Sequence, residues 1–163
     1  MTERKIKILA CGGTIDKVYF DAKSEFQVGE PQILTVLREA NVTLDFEVES
    51  ILKKDSLEMT DEDRALVRQS VLAAKEERIL ITHGTDTIIE TGKALRGIAK
   101  KTIVLTGSME PAKFRVSDAV FNIGSAVAAV QTAGEGVWIV MNGQIFEPAK
   151  TRKNIEKNRF EAI

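Results

Sequence analysis

The stretch Arg78-Ile79-Leu80-Ile81-Thr82-His83-Gly84-Thr85-Asp86-Thr87 decides the fold. Arg78 to Thr82 is a short apolar run, the pattern of a buried strand, and His83 to Thr87 is the turn that ends it. Thr87-x-x-Glu90 then has the spacing of a capped helix start, and the helix it opens is expected to run to about Ala99. Thr102 to Thr106 is the next strand, closed by Gly107. Strand, helix and strand in such close order form the repeating unit of a parallel sheet.

The same alternation continues in both directions. Ile6 and Lys7 to Ala10 form a strand meeting Gly12-Gly13. Asp16 to Gly29 is polar, with Val18, Tyr19, Phe20, Phe26 and Val28 interspersed, and suits a hairpin or a mobile loop. Pro31 to Ala40 is expected to be helical, with Pro31 in the first turn where its missing N–H matters least. Val42 to Leu52 alternates like a strand with one buried face. Thr60-x-x-Asp63 opens a helix through Lys75. Ser117 to Thr132, rich in small and apolar residues, is a further helix. Val137 to Met141 is a strand, and Asn142-Gly143 is a strong turn signal leading back into Ile145-Phe146. The expected class is α/β: a doubly wound, mostly parallel sheet with helices on both faces, forming a single domain over 1–163. Corners at Gly12-Gly13, Gly84 and Gly107 then share one edge of the sheet, the edge where ligands bind.

The 163-residue chain is 44% hydrophobic and 29% charged, with a formal net charge of -1. That balance describes an ordinary globular domain. It offers no broad basic excess for a nucleic-acid backbone, so nucleic acid is not an expected partner. The locally basic Lys150 to Arg159 is expected to be a solvated helix end. No apolar run reaches the ~18–20 residues of a membrane span, so no membrane partner is expected. No apolar leader follows Met1, so the cytoplasm is the expected compartment. A single cysteine excludes an internal disulfide framework. Cys11 fits a small buried strand residue better than a reactive thiol.

Thr14 follows two glycines, which let the backbone approach a ligand closely. Its hydroxyl suits either a nucleophile awaiting a base or a plain turn and cap residue. Gly-Gly-Thr lacks the spacing and the following lysine of a phosphate loop. Thr85-Asp86 joins a hydroxyl and a carboxylate at a helix start, where free N–H groups can face an oxyanion; a simple cap is the alternative. His83, the lone histidine, fits a hydrogen-bonded core residue better than a catalyst.

Together the two corners, Ala10-Cys11-Gly12-Gly13-Thr14-Ile15 and Ile81-Thr82-His83-Gly84-Thr85-Asp86-Thr87, resemble the two signatures of the bacterial-type L-asparaginase/glutaminase family. Asp55-Ser56-Leu57-Glu58-Met59-Thr60 is similar to the family's serine-containing substrate loop. Val104-Leu105-Thr106-Gly107-Ser108-Met109-Glu110-Pro111 is similar to its Gly-Ala-Met-x-Pro corner. The resemblance covers essentially the whole chain and matches the family's larger N-terminal domain, without the smaller C-terminal one. It implies hydrolysis of a small carboxamide such as L-asparagine, with no metal or organic cofactor. Thr14 is then the attacking hydroxyl that forms an acyl-enzyme and releases ammonia, and Thr85 is the second catalytic threonine, handling water. Ser56 holds the substrate α-carboxylate and Asp86 the α-ammonium. The Gly13 and Thr85 amides lie near the oxyanion, and Ser108 joins the substrate-binding set.

Cys11 stands where the family usually has threonine, and other positions depart from the pattern more consequentially. The loop tyrosine falls on Phe26, leaving Tyr19 as the only phenol in that segment and the candidate to activate Thr14. The glutamine beside the substrate serine is Leu57. The family's catalytic lysine is expected to fall on Glu161, after Phe160, so Lys113, Lys150, Lys153 or Lys157 is needed instead. A homodimer or higher homo-oligomer is expected, in which the basic segment Lys150–Arg159 of a neighbouring chain covers the pocket. The alternative to an enzyme is a non-catalytic amino-acid-binding or regulatory module that keeps the pocket.

Overall fold

The structure, a computed structural model, describes residues 4–163. In chain order it contains β1 (Ile6–Gly12), the pair β2 (Lys17–Phe20) and β3 (Glu25–Val28), α1 (Ile33–Glu39), β4 (Phe46–Lys54), α2 (Asp61–Ala73) and β5 (Arg78–Thr82). Then follow α3 (Ile88–Ala94), β6 (Thr102–Thr106), α4 (Ala119–Thr132), β7 (Gly136–Met141), β8 (Gln144–Phe146) and the pair β9 (Thr151–Asn154) and β10 (Arg159–Ala162). The main sheet has the order β4-β1-β5-β6-β7-β8. All neighbours in it are parallel except β8, which runs antiparallel to β7 at the edge.

The sheet is buried on both faces, so its strands are apolar at successive positions. Ile79 and Ile81 point into one core with Val67 and Val71 of α2 and Ile88 of α3. Leu80, between them, points into the other with Ile33 and Leu37 of α1 and Ala119, Ile123, Ala126 and Val130 of α4. Two helices therefore cover each face, the doubly wound arrangement expected. The chain leaves β1 for β4 on one side and then returns to β5 on the other, so the order reverses between β1 and β5. A crevice at such a reversal, outside the carboxyl ends of the strands, is where open α/β sheets bind ligands.

Several local expectations shift. The segment 16–29 is a hairpin, β2 pairing antiparallel with β3. Pro31 lies outside α1, because the Gln32 N–H at the helix start is taken by Asp16 Oδ1 at 2.9 Å. Val42 and Leu44 pack against the core from a loop, and β4 begins only at Phe46. The helix expected to reach Ala99 stops at Ala94, ahead of Gly97 at φ 83°. Thr60 and Asp63 do form the reciprocal capping box of α2. Thr87 does not cap α3 with its side chain; its hydroxyl donates to Ser56 O at 2.8 Å. The largest correction is 150–159, which is not a helix end but most of the β9–β10 hairpin. Its side chains alternate: Thr151 is buried, Arg152 exposed and Lys153 half-buried, the period of a strand. Phe160, opposite Lys153, is buried in the core. Among the described residues no helix is long and apolar enough to cross a membrane.

Candidate active site

Three turns meet at the reversal point. Gly12 and Gly13 have φ of 93° and 87°, the left-handed region where a side chain is strained. A Cβ on Gly13 would stand 2.4 Å from Gly84 N and Cα, and one on Gly84 would stand 2.6 Å from Ser56 Cβ and Oγ. The turn after β1, the turn after β5 and the turn after β4 are thus stacked with no room for a methyl group. This stacking brings the segments bearing Thr14, Thr85 and Ser56 together, as the sequence reading expects.

Thr85 is 7% exposed and its hydroxyl accepts a hydrogen bond from Lys153 Nζ at 2.9 Å. The same ammonium lies 2.7 Å from Asp86 Oδ1. Lys153 of this chain, delivered by β9, thus reaches the Thr85–Asp86 corner, where the sequence reading expected a lysine from a neighbouring chain. Glu161 does not stand in its place: it accepts from Arg159, Arg152 and Asn154. Arg159 first, then Asn154 and Arg152, holds its carboxyl down at about 2. Those contacts hold β9 against β10, and Phe160 N donates to Asn142 Oδ1 at 2.8 Å, tying the hairpin to the end of β7.

Ser56 is buried, and its Oγ accepts from Thr87 N at 3.2 Å, which leaves its hydroxyl proton to donate. Beside it, the Asp55 carboxylate accepts from Leu57 N at 3.1 Å and pairs with Lys17 at 3.1 Å. Burial works to raise the Asp55 carboxyl, but the Leu57 amide and the Lys17 ammonium outweigh it and hold the carboxyl below its ordinary range.

Other candidates settle differently. Gly13 N–H donates to Lys54 O at 2.9 Å and is not a free oxyanion donor, whereas among the described residues no backbone group takes the Thr14 or Thr85 N–H. Ser108 is buried and donates to Glu110 O, holding its own loop. Tyr19 sits on β2 opposite Phe26, with its ring 5.4 Å away, and is 51% exposed. His83 is a core residue: Nδ1 lies 2.8 Å from Gly84 O and Nε2 lies 2.7 Å from Thr91 Oγ1. A carbonyl can only accept, so Nδ1 carries the proton and Nε2 accepts from Thr91. Burial pushes its pKa down to about 4, so the ring is neutral. Cys11 is buried, and burial raises its thiol well above the ordinary value, leaving it inert. Asp16, two residues after Thr14, is buried, and desolvation raises it to about 7. Among the described residues no three His, Cys, Asp or Glu side chains gather closely enough to hold a metal ion.

A family model described as the asparaginase N-terminal domain matches residues 5–163. The chain belongs to the asparaginase family. It is similar to the probable periplasmic L-asparaginase of Haemophilus influenzae, 32% identical over 151 residues, 86% of this chain and 43% of that protein. It is also similar to the glutaminase-asparaginase of Pseudomonas fluorescens biotype A, 28% identical over 173 residues, 96% of this chain and 48% of that protein. Among solved structures, the thermostable L-asparaginase of Thermococcus kodakarensis superposes with a TM-score of 0.85 at 27% identity, covering 98% of this chain and 51% of that one. The asparaginase fold is therefore shared, and this chain spans about half the length of the relatives it matches.

Proposed function

We propose that this chain hydrolyses the side-chain amide of L-asparagine or a related small carboxamide through a threonine acyl-enzyme. Thr14 Oγ attacks the amide carbon while its proton leaves toward a nearby base. The developing oxyanion is held by the free N–H groups of Thr14 and Thr85. The C–N bond then breaks, the nitrogen takes a proton and departs as ammonia, and the acyl group remains as an ester on Thr14. Water, oriented by Thr85 and Lys153, attacks the ester carbon, returns a proton to Thr14 and frees a carboxylic acid. Ser56 and Asp86 hold the α-carboxylate and α-ammonium. Tyr19, on the hairpin beside Thr14, is assigned to activate it.

The observation that carries this reading is Lys153 Nζ bound to both Thr85 Oγ1 and Asp86 Oδ1, on a turn in backbone contact with the Gly13-Thr14 turn. A binding module needs the amino-acid contacts but has no use for an ammonium on a threonine hydroxyl. Ammonia release measured across asparagine, glutamine and related amides tests the proposal; none released from any of them sinks it. The proposal includes a homodimer. Val120 and Phe121 of α4 and Ile145 of β8 are each more than half exposed and form its candidate contact.

A further inference from the structure

Asp55 brings a negative charge to the place where the proposed substrate puts one of its own. It is the N-cap of the short helical turn Ser56–Glu58. Its Oδ1 accepts from Leu57 N at 3.1 Å, so the carboxylate reaches past Ser56 to the residue after it. The turn needs an acceptor there. Ser56 itself is buried against the Gly84 corner. The Lys153 ammonium helps hold the Asp55 carboxyl below its ordinary range without a hydrogen bond to it, which puts the carboxylate in electrostatic range of the Thr85–Asp86 corner. A substrate α-carboxylate on Ser56 therefore meets a like charge close by, and like charges repel more strongly in a partly dry site than in water.

Lys17 removes the conflict. Its Nζ lies 3.1 Å from Asp55 Oδ2, the oxygen that Leu57 leaves free. The two side chains are 29% and 33% exposed, so solvent screens the pair only in part. Neither makes a second ion pair among the described residues. Lys17 is also fixed at its base. Its N–H donates to Thr14 O, closing the turn that carries Thr14, and it pairs with Val28 across the hairpin. The side chain thus runs from the turn of the proposed nucleophile to the turn of the proposed substrate serine. The carboxylate at the other corner, Asp86, is paired with Lys153, which leaves Lys17 to Asp55.

We infer that Lys17 determines specificity for the α-carboxylate: by neutralising Asp55 it lets an anionic group bind at Ser56, beside the carboxylate that caps the turn. This rests on the proposed amide hydrolysis, with Ser56 on the α-carboxylate, and adds the residue that makes that contact possible. Lys17 is a positioning residue, since it acts through Asp55 and not on the reacting atoms.

The test uses two variants that break the same ion pair and are expected to act in opposite directions. Lys17→Met leaves the Asp55 charge uncompensated. KM for L-asparagine in ammonia release is expected to rise about tenfold, with kcat changed by less than about twofold. Asp55→Asn keeps an oxygen for Leu57 N and removes the repelling charge, so KM is expected to hold or fall. The double variant is expected to return KM close to wild type, and circular dichroism checks that all three fold. If the pair served only to tie the hairpin to the Ser56 turn, both single variants and the double would be impaired alike. That result, or an unchanged KM in Lys17→Met, would overturn the inference while leaving amide hydrolysis standing. If no amide releases ammonia, the hydrolysis proposal fails by itself, and calorimetric binding of L-asparagine to the same proteins decides the role of Lys17. Binding weakened by Lys17→Met and restored in the double variant supports it; equal affinities, or no binding to wild type, reject it.

Discussion

Lys153→Ala removes the ammonium from Thr85 and Asp86 and is predicted to lower kcat by about 10²–10⁴, the usual worth of a positioned acid or base. Steady-state ammonia release at saturating amide measures it, and a wild-type kcat would take Lys153 out of the chemistry. Tyr19→Phe removes the phenol assigned to Thr14 and is predicted to lower kcat within the same range; if kcat holds, water or a lysine activates Thr14 instead. At this scale the sequence was legible where a residue sits inside a rigid turn. The segments bearing Thr14, Thr85, Asp86 and Ser56 meet at the Gly13 and Gly84 contacts. Lys153 was one of four candidate lysines and the sequence could not choose among them, because it arrives from 67 residues beyond Asp86 on a hairpin and no local spacing ties the two together. The signal available was the alternation Thr151, Arg152, Lys153, which marks a strand with Lys153 on its inward side. Ser108 and Gly13 erred the other way: their positions match the pattern, but one hydroxyl and one amide are already bonded.

Elements converge on Asp16. It lies in the turn after β1, its carboxylate accepts from Gln32 at the start of α1, and its carbonyl accepts from Gly29 at the end of β3. Its pKa is raised from 3.8 to about 7, chiefly by burial. The protonated form is thus favoured in the fold: its contribution is full below pH 3.8 and is lost as pH rises through 7. His83 works oppositely. Burial lowers it from 6.5 to about 4, so its contribution is full above pH 6.5 and is lost as pH falls through 4. Asp16→Asn keeps the acceptor for Gln32 without the charge. In urea unfolding at a series of pH values, the stability of this variant relative to wild type is predicted to increase from pH 4 to pH 7, by roughly a few kcal/mol in total. The other carboxylates are common to both proteins and cancel in the difference; a constant difference would show that Asp16 is not held protonated. Helix and strand identities were largely legible from apolar period and capping pairs. Tertiary contacts account for two of the shifts, the Gln32 N–H taken by Asp16 at the start of α1 and the Thr87 hydroxyl taken by Ser56 in place of a cap, and the early end of α3 falls ahead of Gly97 at positive φ.

At the scale of the molecule, the β4-β1-β5 reversal makes a site from turns far apart in sequence. The alternation of strand and helix predicted that sheet. It could not predict that the β9–β10 hairpin folds back onto the site, since β9 and β10 pair outside the main sheet. Light scattering over a concentration series is predicted to give a particle of twice the 18.0 kDa chain mass, and Phe121→Glu to return it to one. A fully active monomer at every concentration would show that the site needs no second copy. The central claim, that the stacked turns carry a threonine nucleophile, is tested most directly by ammonia release from wild type and Thr14→Ala. Circular dichroism provides the check on folding, because a turn threonine contributes only about 1 kcal/mol as a cap. The prediction is a folded variant that releases no ammonia where wild type does. A folded Thr14→Ala protein releasing ammonia at the wild-type rate would contradict it.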